Sequence, residues 1–514
     1  MRLRPLSAIF LVALLSLFSG CPAPLRAPGD VIFVIESNPA NLDPRYATDG
    51  VSQRIDRLIF DGLVTRDSQT NLHGDLAQSW EIPDRLTYVF RLKPGIRFHD
   101  GRPLTSTDVK ATIDFMMDPA NRSPKRGSFT MISSVDAPDP VTVIFHLNEP
   151  YASFLWNLEK SAVGIVPAGS TRDFSQHPVG SGPFQFVSQA QDDAVVLARN
   201  SNYRSLAPPS ANGSNSSAVI NRVTFRVVPD AIVRALELRK GSADVEMSSL
   251  SPDMIPVLAK RPELQVSEEP GTNFAYIGTN TVDPILARRE VRQALAYATD
   301  RESLVKYLLH GQARLATGIL PPNHWAYDAD VQAYSYDPAR AERLLDAAGF
   351  PRGPDGSRFH LTLKVSTQEQ SRLLGAALQD QWRNIGVALE VRPLEAATLF
   401  SDLEKGNFQL SYSIWVGANN DPDIFDLVFS SKKFPPNGRN RGHYHNPRVD
   451  ELIAQIRAEL DPVKRKTLCA EVQKILADDL PYISLWYVDV VSVHNKNLRV
   501  SLTPTADYDF LAQP

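Results

Sequence analysis

The chain has 514 residues, of which 43% are hydrophobic, and this is enough for a large globular protein with two or more lobes. Its 54 basic and 58 acidic residues give a net charge of −4. This balance argues against a nucleic-acid partner, which favours a basic excess, and against a disordered acidic tail.

The N-terminal segment is typical of a secretion signal. Positive residues precede the apolar stretch Leu6–Phe18, which is too short to cross a bilayer. Small residues then precede Cys21, as in a bacterial lipobox. We therefore expect a signal peptide over residues 1–20, lipid on Cys21 and a lipid-anchored tether over residues 21–29. Cleavage by an ordinary signal peptidase is the alternative.

The second cysteine is predicted to be a core residue. Cys469 shares a helical face with Val472 and Leu476, which favours a packed thiol over a nucleophile or a metal ligand. With Cys21 lipidated, no intrachain disulfide remains possible. No other segment is long and apolar enough to span a membrane, so the body is expected to be exported and at most anchored.

Hydrophobic periodicity marks the first predicted elements. Val31–Ile35 is an apolar run that reads as a strand. Leu86–Leu92 and Val141–Leu147 alternate with the period of two that half-buried strands show. Between the first two strands, Ile55 and Ile59 recur at helical spacing.

Capping residues mark the predicted helices. Thr105 with Asp108 three residues later matches a capping box. A capping residue followed by proline opens three later helices, at Asp337, Asn446 and Asp461. Strands alternate with helices from residue 361 to residue 410, which predicts a mixed α/β class with a largely parallel sheet.

No catalytic signature is present, because the sequence lacks HExxH, a Walker loop, GxSxG and GxGxxG. The stretch SIWVGANNDPDIF, residues 413–425, resembles the start of a calcium loop at its two aspartates. Asp426 stands where that loop needs glycine. We expect instead that Asp421 caps a helix and that Asp423 favours its dipole.

Two histidines form the closest candidate metal site. On an extended segment, His443 and His445 would project to one face and could hold a transition metal. A solvated loop is the favoured interpretation, so we predict no metal ligand, no cofactor and no catalytic residue.

A series of motifs resembles the family 5 extracellular solute-binding proteins, the oligopeptide-, dipeptide- and nickel-binding components of ABC importers. The signature DLAQSWEIPDRLTYVFRLKPGIRFHDGRPLTSTDVKATID occupies residues 75–114. Further motifs follow in the family's order and cover nearly all of the chain after the tether. They are HPVGSGPFQF, RNSNY, LELRKGSADV, REVRQALAYATDRESLV, YDPARAERLLDAAGF, QWRNIGV and HYHNPRVDELI.

The resemblance implies a fold: a two-lobed periplasmic binding protein of type II, in its large three-subdomain variant. Lobe I is expected over residues 30–272, with an inserted subdomain over about 75–178, and lobe II over residues 273–481. Residues 482–514 would return to lobe I. Two strands would cross the hinge, near Gly271–Gly278 and Pro481–Val488, and the lobes would close over a solute.

The resemblance also implies a ligand site between the lobes. Lobe II would line the cleft with the stretch after residue 413, where a peptide is held through main-chain hydrogen bonds and small residues let the backbones approach. Trp415 would form an apolar wall, with ordinary core packing as the alternative. The implied ligand-binding residues are Tyr46, Ala47, Thr48, Tyr276, Trp415, Val416, Gly417, Ala418 and Asn419.

Two departures from dipeptide-specific relatives weaken a dipeptide assignment. Those relatives have an aspartate for the peptide amine where this chain has Ala418. They also have an arginine for the peptide carboxylate, and an ungapped alignment places Val365 at that position.

The sequence therefore predicts a substrate-binding lipoprotein that captures peptides, or a related solute, for an ABC importer. Its expected partners are the permease and ATPase subunits and, through the lipid, the bacterial membrane. It is expected to be a periplasmic monomer. The alternatives are a nickel-chelate- or haem-binding member of the same fold, with His443 or His445 as ligand, and a secreted hydrolase, which lacks a nucleophile–base pair.

Overall fold

The computed structural model describes residues 27–67, 71–203, 219–417 and 421–513. The predicted signal peptide, Cys21, Ala418 and Asn419 lie outside the described residues. Within these ranges, none of the helices combines the length and the apolar character that a membrane span requires.

The described residues form seventeen strands. They are β1 Asp30–Ile35, β2 Val64–Arg66, β3 Leu72–Gly74, β4 Ala77–Asp84, β5 Thr87–Leu92, β6 Ile132–Asp139, β7 Thr142–Leu147, β8 Phe184–Ala190, β9 Ala194–Arg199, β10 Arg222–Val227, β11 Val245–Met247, β12 Leu264–Thr279, β13 Ala313–Leu315, β14 Phe359–Ser366, β15 Val387–Leu394, β16 Leu410–Trp415 and β17 Tyr482–Asn495.

Thirteen α-helices accompany these strands in the described part of the chain. They are α1 Gly50–Ile59, α2 Ser106–Met117, α3 Phe154–Asn157, α4 Ala231–Lys240, α5 Ile255–Leu258, α6 Arg289–Tyr297, α7 Arg301–Leu308, α8 Pro338–Ala347, α9 Glu369–Arg383, α10 Ala396–Glu404, α11 Ile424–Phe429, α12 Pro447–Ala458 and α13 Pro462–Asp479.

One large mixed sheet runs through the molecule, in the order β15-β14-β16-β12-β17-β11-β1-β10-β9-β8 with β13 beside β17. The strands β14 and β15 are parallel, and so are β1 and β10. A separate antiparallel sheet has the order β4-β5-β7-β6. The mixed α/β class and the parallel pairing predicted from residue 361 onward are confirmed.

Two long antiparallel strands, β12 and β17, connect the two ends of the large sheet. They pair from Leu264 with Asn495 to Gly278 with Tyr482, and the register shifts between Glu269 and Asn273. At this irregularity a Cβ on Gly271 would lie 2.1 Å from the carbonyl oxygen of Val488. Only glycine allows this approach of the two backbones. Both strands extend further than the sequence predicted.

Separate hydrophobic cores divide the described residues into three parts. The N-terminal half packs α1 on β1 and β8–β11, with residues of the C-terminal tail. The small-sheet unit, built on β4–β7, has its own core around Phe90 and Phe145. The C-terminal half packs α6–α9 on β14–β16, and α11–α13 on the other side of the crossing strands.

Buried ion pairs fix the C-terminal tail to the N-terminal half. The guanidinium of Arg57 lies 2.6 Å from Glu159 and 2.6 Å from Asp509. Arg66 donates to Asp507 at 2.9 Å. Removing one partner of such a buried pair would leave an uncompensated charge, so these contacts hold residues 507 and 509 against the N-terminal half.

The predicted caps are largely confirmed. Asp108 accepts the backbone N–H of Thr105, as in a capping box, and Asn446 and Asp461 cap the helices α12 and α13. Cys469 is fully buried, and burial raises the pKa of its thiol to about 12. The prediction for Asp421 is confirmed in part. Its carboxylate accepts the backbone N–H of Asp423 at 2.9 Å, as a capping side chain does, but α11 begins later, at Ile424, and an arginine also holds this carboxylate.

A buried glutamate predicts a pH dependence of stability. Burial raises the pKa of Glu246 from 4.5 to about 7, although Ser249 donates two hydrogen bonds to one carboxylate oxygen. The folded protein therefore keeps a proton that the unfolded chain releases, and stability falls as the pH rises through this window. Glu246→Gln should reduce the loss of melting temperature between about pH 5 and about pH 8.

The matched control is Glu263→Gln, which changes an exposed glutamate. It should keep the wild-type pH dependence of the melting temperature. An unchanged dependence in Glu246→Gln would show that this carboxyl is ionised in the folded protein.

Candidate functional site

The predicted cleft segment is the stretch of residues 413–420, and its first three residues form the end of β16, which has an open edge. On one side β16 pairs with β12, where Trp415 lies opposite Phe274 and Ser413 opposite Tyr276. On the other side the pairing with β14 stops at Ser411. From residue 412 to residue 415, the described residues therefore supply no strand on this outer edge. An edge of this kind can accept the main chain of another peptide.

Aromatic rings cover one face of this strand end. The rings of Tyr276 and Tyr482 stack with centroids 4.0 Å apart, and Trp415 lies nearly parallel to Tyr276 at 6.5 Å. Phe274 continues the stack at 5.5 Å from Tyr276. The tryptophan is half-buried, so its packing on the core and an apolar wall for a ligand are compatible roles.

Tyr276 is deeply placed, with only 4% of its surface exposed. Burial and the neighbouring Tyr482 raise the pKa of its hydroxyl well above the ordinary value. Both phenols therefore stay neutral at physiological pH. The stack provides polarisable surface and hydroxyl groups rather than charge.

The lobe I segment predicted to face the ligand is held rigidly. The carbonyl of Asp43 accepts the backbone N–H groups of both Tyr46 and Ala47, and the Tyr46 hydroxyl donates to the carbonyl of Asn121 at 2.7 Å. Ala47 is buried and Thr48 is exposed. These residues are anchored to the N-terminal half and the small-sheet unit, whereas Trp415 and Tyr276 form one cluster in the C-terminal half.

The two aspartates after the cleft segment are already engaged. The carboxylate of Asp421 forms two hydrogen bonds with Arg465, at 2.7 and 2.9 Å. Burial opposes its ionisation, but Arg465 brings the net pKa of Asp421 below the ordinary value. Asp423 accepts a hydrogen bond from the Tyr151 hydroxyl and pairs with Arg457 at 3.2 Å, while burial raises its pKa to about 6.

The remaining predicted positions have different surroundings. Val416 is 55% exposed next to the aromatic stack. Val365 is fully buried in β14, so a side chain here faces the core. His443 has a φ of +54° and its ring packs at a tilt on Phe434, whereas the ring of His445 lies 3.8 Å from the carboxylate of Asp450. The extended geometry that would pair the two histidines is therefore absent from this described segment.

Sequence reasoning missed the arginine that holds Asp421. Arg465 lies one helical turn before Cys469 and is 5% exposed, so it occupies the buried face of α13. An arginine on an apolar helical face signals a buried ion pair, and this signal was available in the sequence. Its partner, 44 residues earlier, was not evident from spacing.

The comparisons with known proteins agree with this architecture. Residues 71–435 match the family model described as bacterial extracellular solute-binding proteins, family 5 Middle. The glutathione-binding protein GsiB of Pectobacterium atrosepticum is 31% identical over 488 residues, which cover 93% of this chain and 92% of that protein.

Solved structures show the same fold. NikZ from Campylobacter jejuni, in complex with Ni(L-His), is 27% identical with a TM-score of 0.80, and the match covers 95% of this chain and 99% of that chain. DppA from Helicobacter pylori, in complex with the peptide STSA, is 26% identical with a TM-score of 0.77, covering 93% and 97%.

The fold is therefore that of a type II periplasmic binding protein. The chain belongs to family 5 of the bacterial extracellular solute-binding proteins, which serve ABC importers. The relatives in this family are binding proteins of transporters, and their place is the periplasm or the cell exterior.

Gly417 shows why a glycine is required at this position of the cleft segment. Its φ is +65°, and an added Cβ would meet no atom within 4 Å among the described residues. Glycine is therefore required here by the left-handed backbone conformation and not by lack of space for a side chain. Gly417→Ala should lower the free energy of unfolding by about 1 kcal/mol, because alanine resists left-handed backbone.

Gly417→Asn is the matched control, because asparagine tolerates the left-handed region. In chemical denaturation it should lose clearly less stability than the alanine variant. Equal losses would mean that space, not backbone conformation, selects glycine at this position.

Proposed function

We propose that this protein is the substrate-binding lipoprotein of a bacterial ABC importer and that it captures peptides, or a related solute, between two lobes. Lobe I comprises residues 30–272 with the insertion at about 75–178, and residues 482–514 return to it. Lobe II comprises residues 273–481. The ligand contacts are proposed at Tyr46, Ala47, Thr48, Tyr276, Trp415, Val416, Gly417, Ala418 and Asn419.

The open edge of β16 carries this proposal. Among the described residues, its backbone from residue 412 to residue 415 has a partner strand on the β12 side alone. Ile414 is 42% exposed beside the half-buried Trp415. An extended peptide can add to this edge through main-chain hydrogen bonds and place a side chain against the aromatic stack.

The charges around the site favour a ligand that is not bound through charged termini. Asp421 is neutralised by Arg465, and Asp423 is engaged by Tyr151 and Arg457. An unpaired ammonium in a closed cleft would be costly, and neither carboxylate is available to compensate it. We therefore propose longer peptides held along the backbone, or a solute without a free amine at this point.

The relatives guide the choice of ligands to test. GsiB is named for glutathione, a DppA structure contains a tetrapeptide, and NikZ contains nickel with histidine. The panel should hold a dipeptide, a pentapeptide, their N-acetylated forms, glutathione and nickel–histidine. A hydrolase would convert peptide or ester substrates, so a turnover assay on the same panel separates that alternative.

Trp415→Ala should weaken peptide binding by about 2 kcal/mol, or roughly 30-fold in Kd, because a buried aromatic anchor is lost. Calorimetry with the panel measures this. Trp80→Ala is the control, since it removes a half-buried tryptophan that packs on Phe90 in the small-sheet unit.

The same titrations test the ligand class. N-acetylation of the pentapeptide should leave its affinity unchanged. Tight dipeptide binding that acetylation abolishes would mean that another acid holds the amine. Strong binding of nickel–histidine alone would favour the metal-chelate alternative.

The proposed anchor rests on Cys21 at the end of the signal sequence. Cys21→Ser should move the protein from the membrane fraction to the soluble periplasmic fraction, because a lipid chain would no longer attach. Mass spectrometry of the wild-type N-terminus should show the added lipid. An unmodified N-terminus and unchanged fractionation would contradict the lipoprotein assignment.

A further inference from the structure

A buried polar contact joins the small-sheet unit to the C-terminal half. The hydroxyl of Ser153 donates to Asp421 at 2.5 Å and accepts from Arg465 at 2.8 Å. Beside it, the Tyr151 hydroxyl donates to Asp423. These residues are between 2% and 7% exposed, apart from the half-buried Asp423.

The contact also includes main-chain atoms and an aromatic ring. The backbone N–H of Ala152 donates to the carbonyl of Arg457 at 2.8 Å, and Arg85 donates to the carbonyl of Ala458 at 2.6 Å. The guanidinium of Arg457 lies 5.1 Å from the ring centroid of Tyr151. Partners are thus aligned along the whole segment 151–153.

The two sides of this contact are distant along the chain. Ser153 and Asp421 are 268 positions apart. The chain passes from the small-sheet unit to the C-terminal half by way of the N-terminal half and β12. A rotation about the crossing strands would therefore separate residues 151–153 from Asp421 without breaking either core.

The charges are arranged so that the small-sheet unit can separate from the C-terminal half at low energetic cost. Asp421 and Arg465 both belong to the C-terminal half and neutralise each other there. Opening would expose this pair to water but would not leave an uncompensated charge. Ser153 and Tyr151 cross the contact with neutral hydroxyl groups, and Arg85 crosses it to a main-chain carbonyl rather than to a carboxylate. Asp421 also follows directly after the cleft segment.

We propose that Tyr151, Ser153, Asp421, Asp423 and Arg465 form a closure latch that holds the two lobes together over the ligand. Through the latch, the inserted subdomain takes part in closing the lobes. Tyr151 and Ser153 are positioning residues, because they hold the cleft segment and do not contact the ligand themselves. This inference rests on the proposed two-lobed receptor function.

The test removes the crossing hydroxyl groups and leaves the Asp421–Arg465 pair intact. The full chain carries Cys21→Ser, and spin labels are attached at Ile82→Cys and Val463→Cys, two exposed positions on opposite sides of the contact. The buried thiol of Cys469 is protected from labelling. Ser153→Ala with Tyr151→Phe should reduce the short-distance population in pulsed electron paramagnetic resonance, with and without penta-alanine.

Affinity gives the second measurement. The double variant should bind penta-alanine roughly tenfold more weakly, because hydrogen bonds to charged groups are lost only in the closed form. Ser133→Ala is the control, since its hydroxyl donates to His146 within the small-sheet unit. It should change neither the distances nor the affinity.

The outcomes separate the two proposals. Distances that the double variant leaves unchanged, with and without penta-alanine, would overturn the latch. Failure of the wild-type protein to bind any peptide would refute the proposed ligand class, while the ligand-free distances would still decide whether the latch holds the lobes.

Discussion

The antiparallel pairing of β12 with β17 is the constraint on which the rest of the structure depends. These two strands lie side by side within the large sheet. β12 pairs on its other side with β16 of the C-terminal half, and β17 pairs with β11 of the N-terminal half. They place β16, with its aromatic face, beside the crossing point, and they carry the chain back to the N-terminal half. The close approach at Gly271 and the register shift beside it interrupt the regular ladder where the two halves meet.

Several buried charges then find their partners within the same part of the molecule. The tail is held to the N-terminal half by the ion pairs of Arg57 with Asp507 and Asp509. Within the C-terminal half, Asp421 pairs with Arg465. The contact between the small-sheet unit and the C-terminal half is therefore made by hydroxyl groups, main-chain bonds and an arginine that donates to a carbonyl. This is suited to a receptor, since its lobes have to separate without exposing unpaired charge.

The sequence predicted the elements whose signals are local. Proline after Asn446 and Asp461 marked two helix starts, alternation marked β5 and β7, and helical spacing placed Cys469 in a core. The capping bond assigned to Asp421 is present, but the buried arginine that shares its carboxylate was not predicted, and α11 begins later than expected. Contacts between residues hundreds of positions apart, such as Ser153 with Asp421, have no local signal. The family resemblance gave the overall fold, but it could not show which charges were already paired.

Native mass spectrometry of the protein purified from its own cell envelope tests the central claim most directly. A receptor that closes on peptides should retain them through gentle purification. The account predicts mass increments that tandem fragmentation resolves into amino-acid residues, and their loss after mild unfolding. An increment that matches a nickel chelate or haem, with peptides absent, would contradict it.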